Sequence, residues 1–181
     1  MRVSPILQPD KSTREISQFA VWRVSSSKPG NAGVRMLRDG REDTYWQSDG
    51  AQPHIVTLEF QKLVTLSGLA LYIDYKLDES YTPQKISIRA GTRINDMKEV
   101  KSVELIEPHG WVLIPLTHHD TGLPHIKAFV LEVVVVSNHQ NGRDTHVRQL
   151  RVFGPRTDPL KALGFEVTFT SPEFNRVAFV R

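Results

Sequence analysis

The sequence predicts an all-β fold, a sandwich or barrel of short strands, and three observations carry that prediction. Apolar residues recur with period two in segment after segment, turn residues punctuate those segments at short intervals, and no stretch keeps an amphipathic helical period over three turns. Period-two alternation is the signature of a sheet with one buried face. Short strands at this spacing pack as a sandwich or close as a barrel.

In chain order, the first clear strand is Ile55–Phe60, where Val56, Leu58 and Phe60 alternate with Ile55, Thr57 and Glu59. Leu69, Leu71 and Ile73 then alternate with Ala70, Tyr72 and Asp74, and Ile86, Ile88 and Ala90 with Lys85, Ser87 and Arg89. Further strands are expected at Val100–Leu105, Trp111–Leu116, Phe129–Val136 and Val147–Phe153. Pro108-His109-Gly110 and Gly122-Leu123-Pro124 separate some of them. The nearly unbroken apolar run Phe129–Val136 reads as a strand buried on both faces. Only Val34–Arg38 looks helical, and briefly. Gly154-Pro155 and Pro159 close the last strand, so the expected organisation is an N-terminal extension over 1–13, one domain over 14–154 and a tail over 155–181. Phe165, Phe169, Phe174 and Phe179 give that tail apolar surface, to pack on the sandwich or on a partner.

Composition bounds the class. A chain of 181 residues, 39% hydrophobic and 24% charged, can bury a core without metal or disulfide staples. Its 23 Lys and Arg stand against 20 Asp and Glu, a formal charge of +3, with no basic block and no interleaved aromatics, which argues against nucleic acid as a partner. Met1–Lys11 lacks a signal-peptide pattern, and no apolar run approaches the roughly 20 residues that cross a bilayer. The expectation is a soluble intracellular protein with no membrane partner. With no cysteine, the chain has no disulfide, no thiolate metal ligand and no cysteine nucleophile.

One loop stands out. His139-Gln-Asn-Gly-Arg-Asp-Thr-His146, all polar or turn residues, follows directly on the apolar run that ends at Val136. Such a loop is either an ordinary solvated hairpin turn or a recognition loop held on a rigid scaffold. Asn141-Gly142 is a tight-turn dipeptide, which predicts a short, well-defined loop. Ser80, Tyr81, Gln140 and Asn141 offer both donors and acceptors to a peptide. Asp78, Glu79 and Asp144 can accept from Lys or Arg, while Arg143 either grips a carboxylate or braces Asp144 within its own loop.

Arg38-Asp39-Gly40, Thr44 through Gly50, and Gln52-Pro53-His54 before the strand at Ile55 resemble the opening of discoidin-like, or galactose-binding-like, jelly-roll domains. In such a jelly-roll β-sandwich, Trp46 is expected as a core anchor rather than a stacking platform. Extracellular members usually carry a disulfide, so a cysteine-free chain points to a nuclear or cytoplasmic branch.

A narrower resemblance lies in four ordered motifs: Ala20–Gly30, Asp43–Gly50, Asp78–Pro83 and Ser137–His146. Over about Arg14 to Gly154 the chain is similar to the Doc-domain subunits (subunit 10) of the anaphase-promoting complex. The resemblance implies a non-catalytic jelly roll that forms, with a propeller coactivator, the receptor for the destruction-box degron of cell-cycle substrates. It places Asp78, Glu79, Ser80 and Tyr81 beside Asn138, His139, Gln140, Asn141, Gly142, Arg143, Asp144 and His146, facing the degron. Family members end in Ile-Arg, which docks on a tetratricopeptide-repeat scaffold subunit; this chain ends Val180-Arg181. Val lacks one methylene of Ile, a difference of about 1 kcal/mol at most.

Two patterns invite other readings. His118, His119 and His125 cluster, and His139 and His146 frame the loop, yet no zinc spacing is present, so neither a metal nor a cofactor is expected. Ser, His and Asp share the loop without a nucleophile elbow, so no enzyme is expected. The alternative function is a carbohydrate-binding module, drawn from the fold superfamily and from Tyr45, Trp46 and Tyr81.

Overall fold

Period-two segments assemble as expected in the computed structural model, which describes residues 12–116 and 125–156. Eleven strands form there: β1 (Thr13–Glu15), β2 (Ala20–Val24), β3 (Trp46–Gln47), β4 (His54–Leu66), β5 (Gly68–Asp74), β6 (Pro83–Gly91), β7 (Lys98–Glu104), β8 (His109–Pro115), β9 (Ile126–Asn138), β10 (His146–Val147) and β11 (Gln149–Pro155). One helix of four residues, α1 (Tyr75–Asp78), follows β5. The helical expectation at Val34–Arg38 reduces to a single 3-10 turn at Gly33–Arg35.

A five-stranded sheet, β2-β4-β9-β6-β7, faces a four-stranded sheet, β1-β11-β5-β8, and β3 pairs β10 as a small ribbon between them. Every pairing is antiparallel. Leu58, Ile86, Ile88, Leu131 and Val133 from the first sheet meet Leu69, Leu71, Ile73, Ile114, Leu150 and Val152 from the second in one core. Burying each such side chain contributes ~1.5–3 kcal/mol. In β9 the residues Val130–Val135 are buried as predicted, whereas Phe129 and Val136, at the ends of the expected run, are exposed.

Sequence reasoning missed three strands. β1 and β3 are too short to show a period, and β2 buries only Ala20 and Trp22. β4 runs six residues past its expected end at Phe60, through a bulge between Glu59 and Val64 where Gln61-Lys62 interrupts the alternation. Trp46 is fully buried and its indole N–H donates to the Ser26 carbonyl at 2.9 Å, so it anchors the core. None of the described helices is long and apolar enough to cross a membrane.

Candidate functional site

Two connections meet at one end of the sandwich. After β5, Asp74 caps α1 by accepting the Lys76 N–H at 3.0 Å. The chain then kinks at Glu79, whose φ is 44°, and makes a 3-10 turn over Glu79–Tyr81 before β6. The kink sends Asp78 inward and leaves Glu79 and Tyr81 exposed, with Ser80 half-buried. From β9, Asn138 leads into a second 3-10 turn at His139–Asn141.

Asp78, 4% exposed, is the hub beneath both. Arg148 grips it with a two-pronged fork, Nε to Oδ2 at 3.0 Å and Nη2 to Oδ1 at 2.7 Å, while His146 Nδ1 lies 3.0 Å from Oδ1. Burial alone would push the Asp78 carboxyl up, but the hydrogen bonds from His146 and Arg148 and the Arg148 charge outweigh it and hold the group below the usual carboxylate range. The third edge of Arg148 donates to the Glu42 carbonyl at 2.9 Å. The His146 ring is sandwiched between Tyr45 and Tyr81, with centroids 4.0 and 4.3 Å away. A buried ion pair thus carries a three-ring stack whose outermost member, Tyr81, reaches the surface.

The second loop is tied by partners distant in sequence. Asn138 Nδ2 donates to the carbonyls of Gly142 (3.1 Å) and Asp144 (2.7 Å), and Gln52 also donates to Gly142. His54 Nε2 sits 2.7 Å from the Arg143 carbonyl, and the His139 amide donates to the Thr82 carbonyl at 2.9 Å. Thr145 binds Ser48 through its amide and the Tyr81 carbonyl through its hydroxyl. The loop is no simple hairpin turn: Gln140 and Asn141 have φ of 52° and 56°, whereas Gly142 lies at −59°. Glycine is needed at 142 because a Cβ there would overlap the Ser80 carbonyl oxygen.

The twelve predicted residues therefore divide. Glu79, Tyr81, Gln140, Asn141 and Arg143 are exposed and Ser80, Gly142 and Asp144 half-buried, all on one rim. Asp78, Asn138, His139 and His146 are buried and act through the loops they hold. Arg143 and Asp144 do not brace each other: Arg143 Nε donates to the Gly50 carbonyl at 3.1 Å, and Asp144 faces Lys28 at 3.9 Å. The reading of residues alone missed Arg148, whose charge between Val147 and Leu150 was the available signal of a buried pair, and missed Tyr45, Gln52 and His54 as loop supports. His118, His119, Val180 and Arg181 lie outside the described residues, among which no group of three His, Asp or Glu side chains is placed to hold a metal ion.

Among the described residues, five buried side-chain atoms at this end have no protein hydrogen-bond partner: His54 Nδ1, Thr82 Oγ1, Asn138 Oδ1, Asp144 Oδ1 and His146 Nε2. Polar groups are concentrated here beyond what the turns themselves use.

The architecture is that of a galactose-binding-like jelly roll. The family 32 carbohydrate-binding module from C. perfringens NanJ, solved in complex with galactose, superposes with a TM-score of 0.63 over 78% of this chain and 98% of that one, at 15% identity. The CBM32-1 and CBM32-2 domains of C. perfringens ZmpB give 0.65 over 80% of this chain and 36% of that one, also at 15%. At such identity the likeness is one of fold alone.

The sequence is more specific than the fold. The family model "Anaphase-promoting complex, subunit 10 (APC10)" matches residues 4–178. Anaphase-promoting complex subunit 10 of Drosophila melanogaster is 48% identical over 93% of this chain and 85% of its own length, and that of Homo sapiens 49% identical over 80% and 76%. Subunit DOC1 of Saccharomyces cerevisiae is 33% identical over 90% of this chain and 64% of its own length. The chain belongs to the anaphase-promoting complex subunit 10 family.

Proposed function

We propose that the chain is a non-catalytic substrate-recognition subunit of the anaphase-promoting complex ubiquitin ligase, acting in the nucleus and cytoplasm in mitosis and cell division. With the propeller coactivator it forms a destruction-box co-receptor and promotes processive ubiquitination of cell-cycle proteins. The observation that carries this reading is the rim of Glu79, Ser80, Tyr81, Gln140 and Asn141, held on a buried brace. The rim offers an extended peptide donors and acceptors whose positions are fixed before binding, which lowers the ordering cost of association. Glu79 adds an acceptor for a basic side chain of the degron. Val180-Arg181 anchors the subunit on a tetratricopeptide-repeat scaffold through an apolar side chain and a guanidinium.

The carbohydrate alternative gains nothing from the site. Of its three candidate rings, Trp46 is buried in the core and Tyr45 is covered by His146, which leaves Tyr81 without a partner ring for a sugar platform.

The test is reconstitution. Complex depleted of this subunit is supplemented with wild type or with Ser80→Ala, Asn141→Gly. Glycine is chosen at 141 because alanine at φ 56° would add backbone strain of its own. The double variant should assemble normally yet give shorter ubiquitin chains and shorter substrate residence. Wild-type degron-dependent ubiquitination by the assembled variant would refute the site.

A further inference from the structure

The turn at 36–41 runs beside β11, held by the Leu150 amide on the Leu37 carbonyl at 3.1 Å. Gln149 fixes the same turn: its Oε1 accepts the Gly40 amide, and its Nε2 donates to Arg41 O at 2.8 Å and to Asp39 Oδ1 at 2.7 Å. Between turn and strand lies a cleft of about 280 Å³, whose lining includes Glu15, Gln18, Arg38, Gly40 and Arg151. Arg38 also lines a neighbouring cleft of about 630 Å³, with Val34, Arg35 and Met36. The two clefts share Arg38, so together they form one groove.

Its cations are unspent. Arg23, elsewhere on the surface, pairs with Glu59, and Arg41, at the end of the turn, pairs with Asp43. Among the described residues, Arg35, Arg38 and Arg151 make no ion pair and no side-chain hydrogen bond. Two of them are nevertheless held in place: the Arg38 guanidinium lies 5.0 Å from the Trp22 ring and that of Arg151 4.8 Å from Trp111. Trp22 is itself fixed by its indole N–H on the Ser17 carbonyl at 3.0 Å, and Trp111 by an edge contact with Tyr72. Stacking occupies the face of a guanidinium and leaves its N–H edges to grip a carboxylate. Of the acids nearby, Asp39 lines the second cleft with its charge intact, hydrogen-bonded by Thr44, Gln149 and the Arg41 amide, and Glu15 lines the first, so three cations stand against two carboxylates.

We propose that this groove docks an extended acidic peptide segment of a neighbouring protein chain, with carboxylates on Arg38 and Arg151 and an apolar side chain over Val34 and Met36. The partly apolar lining and the absence of a Lys/Arg block favour a peptide over nucleic acid. The site is separate from the degron rim and stands whether or not that rim binds a degron.

The test uses the full chain, a synthetic oligoglutamate peptide as probe, and the three tryptophan indole N–H signals as reporters. Trp22 and Trp111 should shift saturably while Trp46, at the loop end, stays still. Arg38→Glu with Arg151→Glu should weaken binding by at least about tenfold, and the milder Arg38→Gln with Arg151→Gln by less. Charge reversal at the distant, exposed Arg93 should leave the affinity unchanged. An unmoved Trp46 signal in the variants reports an intact fold. The proposal is overturned if no saturable shift occurs, if the Arg93 variant loses as much as the groove variants, or if a single-stranded oligonucleotide of matched charge binds the groove more tightly than the peptide.

Discussion

The connections at 92–97 and 139–145 are both short, and they are built in opposite ways. The first joins two paired strands of one sheet, β6 and β7, and is closed by its own residues: Asp96 accepts from the Thr92 hydroxyl and, at 2.7 Å, from the Arg93 amide, all exposed. The second links the five-stranded sheet to the small ribbon. Its ties reach Gly50, Gln52, His54, Tyr81 and Thr82, and beneath it lies the Asp78–Arg148 pair. A local turn needs only itself. A loop braced from distant parts of the chain keeps its shape only while the whole end of the sandwich is assembled, and it presents side chains in fixed positions.

The sharpest way to break this contrast is Asp78→Asn. It leaves the Arg148 guanidinium buried without a counter-charge and should cost ~3–5 kcal/mol in denaturant unfolding. The same variant tests the acid response. The folded-state pKa of Asp78 is depressed, so its stabilisation is present above the unfolded carboxylate value near 4 and is lost as pH falls through the lower folded value. Unfolding free energy of the wild type should therefore drop below about pH 4. Asp78→Asn should show a shallower drop.

Next comes a pair of glycines. Gly142→Ala drives a methyl into the Ser80 carbonyl and should cost up to ~3 kcal/mol by the same assay. Gly91→Ala, beside the local turn, mainly meets the ends of the Asp96 and Met97 side chains at 2.7 and 2.9 Å, which can swing aside, and should cost less than ~1 kcal/mol. The smallest effect is expected for Asp96→Ala. Its carboxylate is fully exposed, and although the Thr92 hydroxyl and Arg93 amide lower its pKa, solvent screens those bonds. The denaturation midpoint should stay where it is, and equal loss at Asp96 and Asp78 would erase the distinction between the two loops.

How much of this was legible follows the same division. Alternation at Val56, Leu58 and Phe60 or at Ile86, Ile88 and Ala90 placed the core strands, because burial imposes the period directly. β2, β3 and the β4 bulge left no such trace, since their positions are set by partners. The loop 139–146 was visible as a polar run after an apolar one, and the four-motif resemblance brought it together with Asp78–Tyr81. That Asp78 and His146 lie inside rather than on the rim was not legible. Asp78 pairs with His146 and Arg148, 68 and 70 residues away, and pairing at that separation has no periodic signature. Asn141-Gly142 gave a short, well-defined loop but not the role of its glycine, which answers to Ser80 across the gap between loops while the positive φ values fall at Gln140 and Asn141.

The most direct measurement is site-specific photo-crosslinking in the assembled ligase, with the crosslinker placed at Tyr81 or Gln140 on the braced rim and at Ile94 in the local turn, and with a destruction-box substrate present. Degron-dependent crosslinks to substrate are expected from Tyr81 and Gln140 and none from Ile94. Crosslinks from Ile94 alone, or rim crosslinks that persist when the destruction box is mutated, would contradict this expectation.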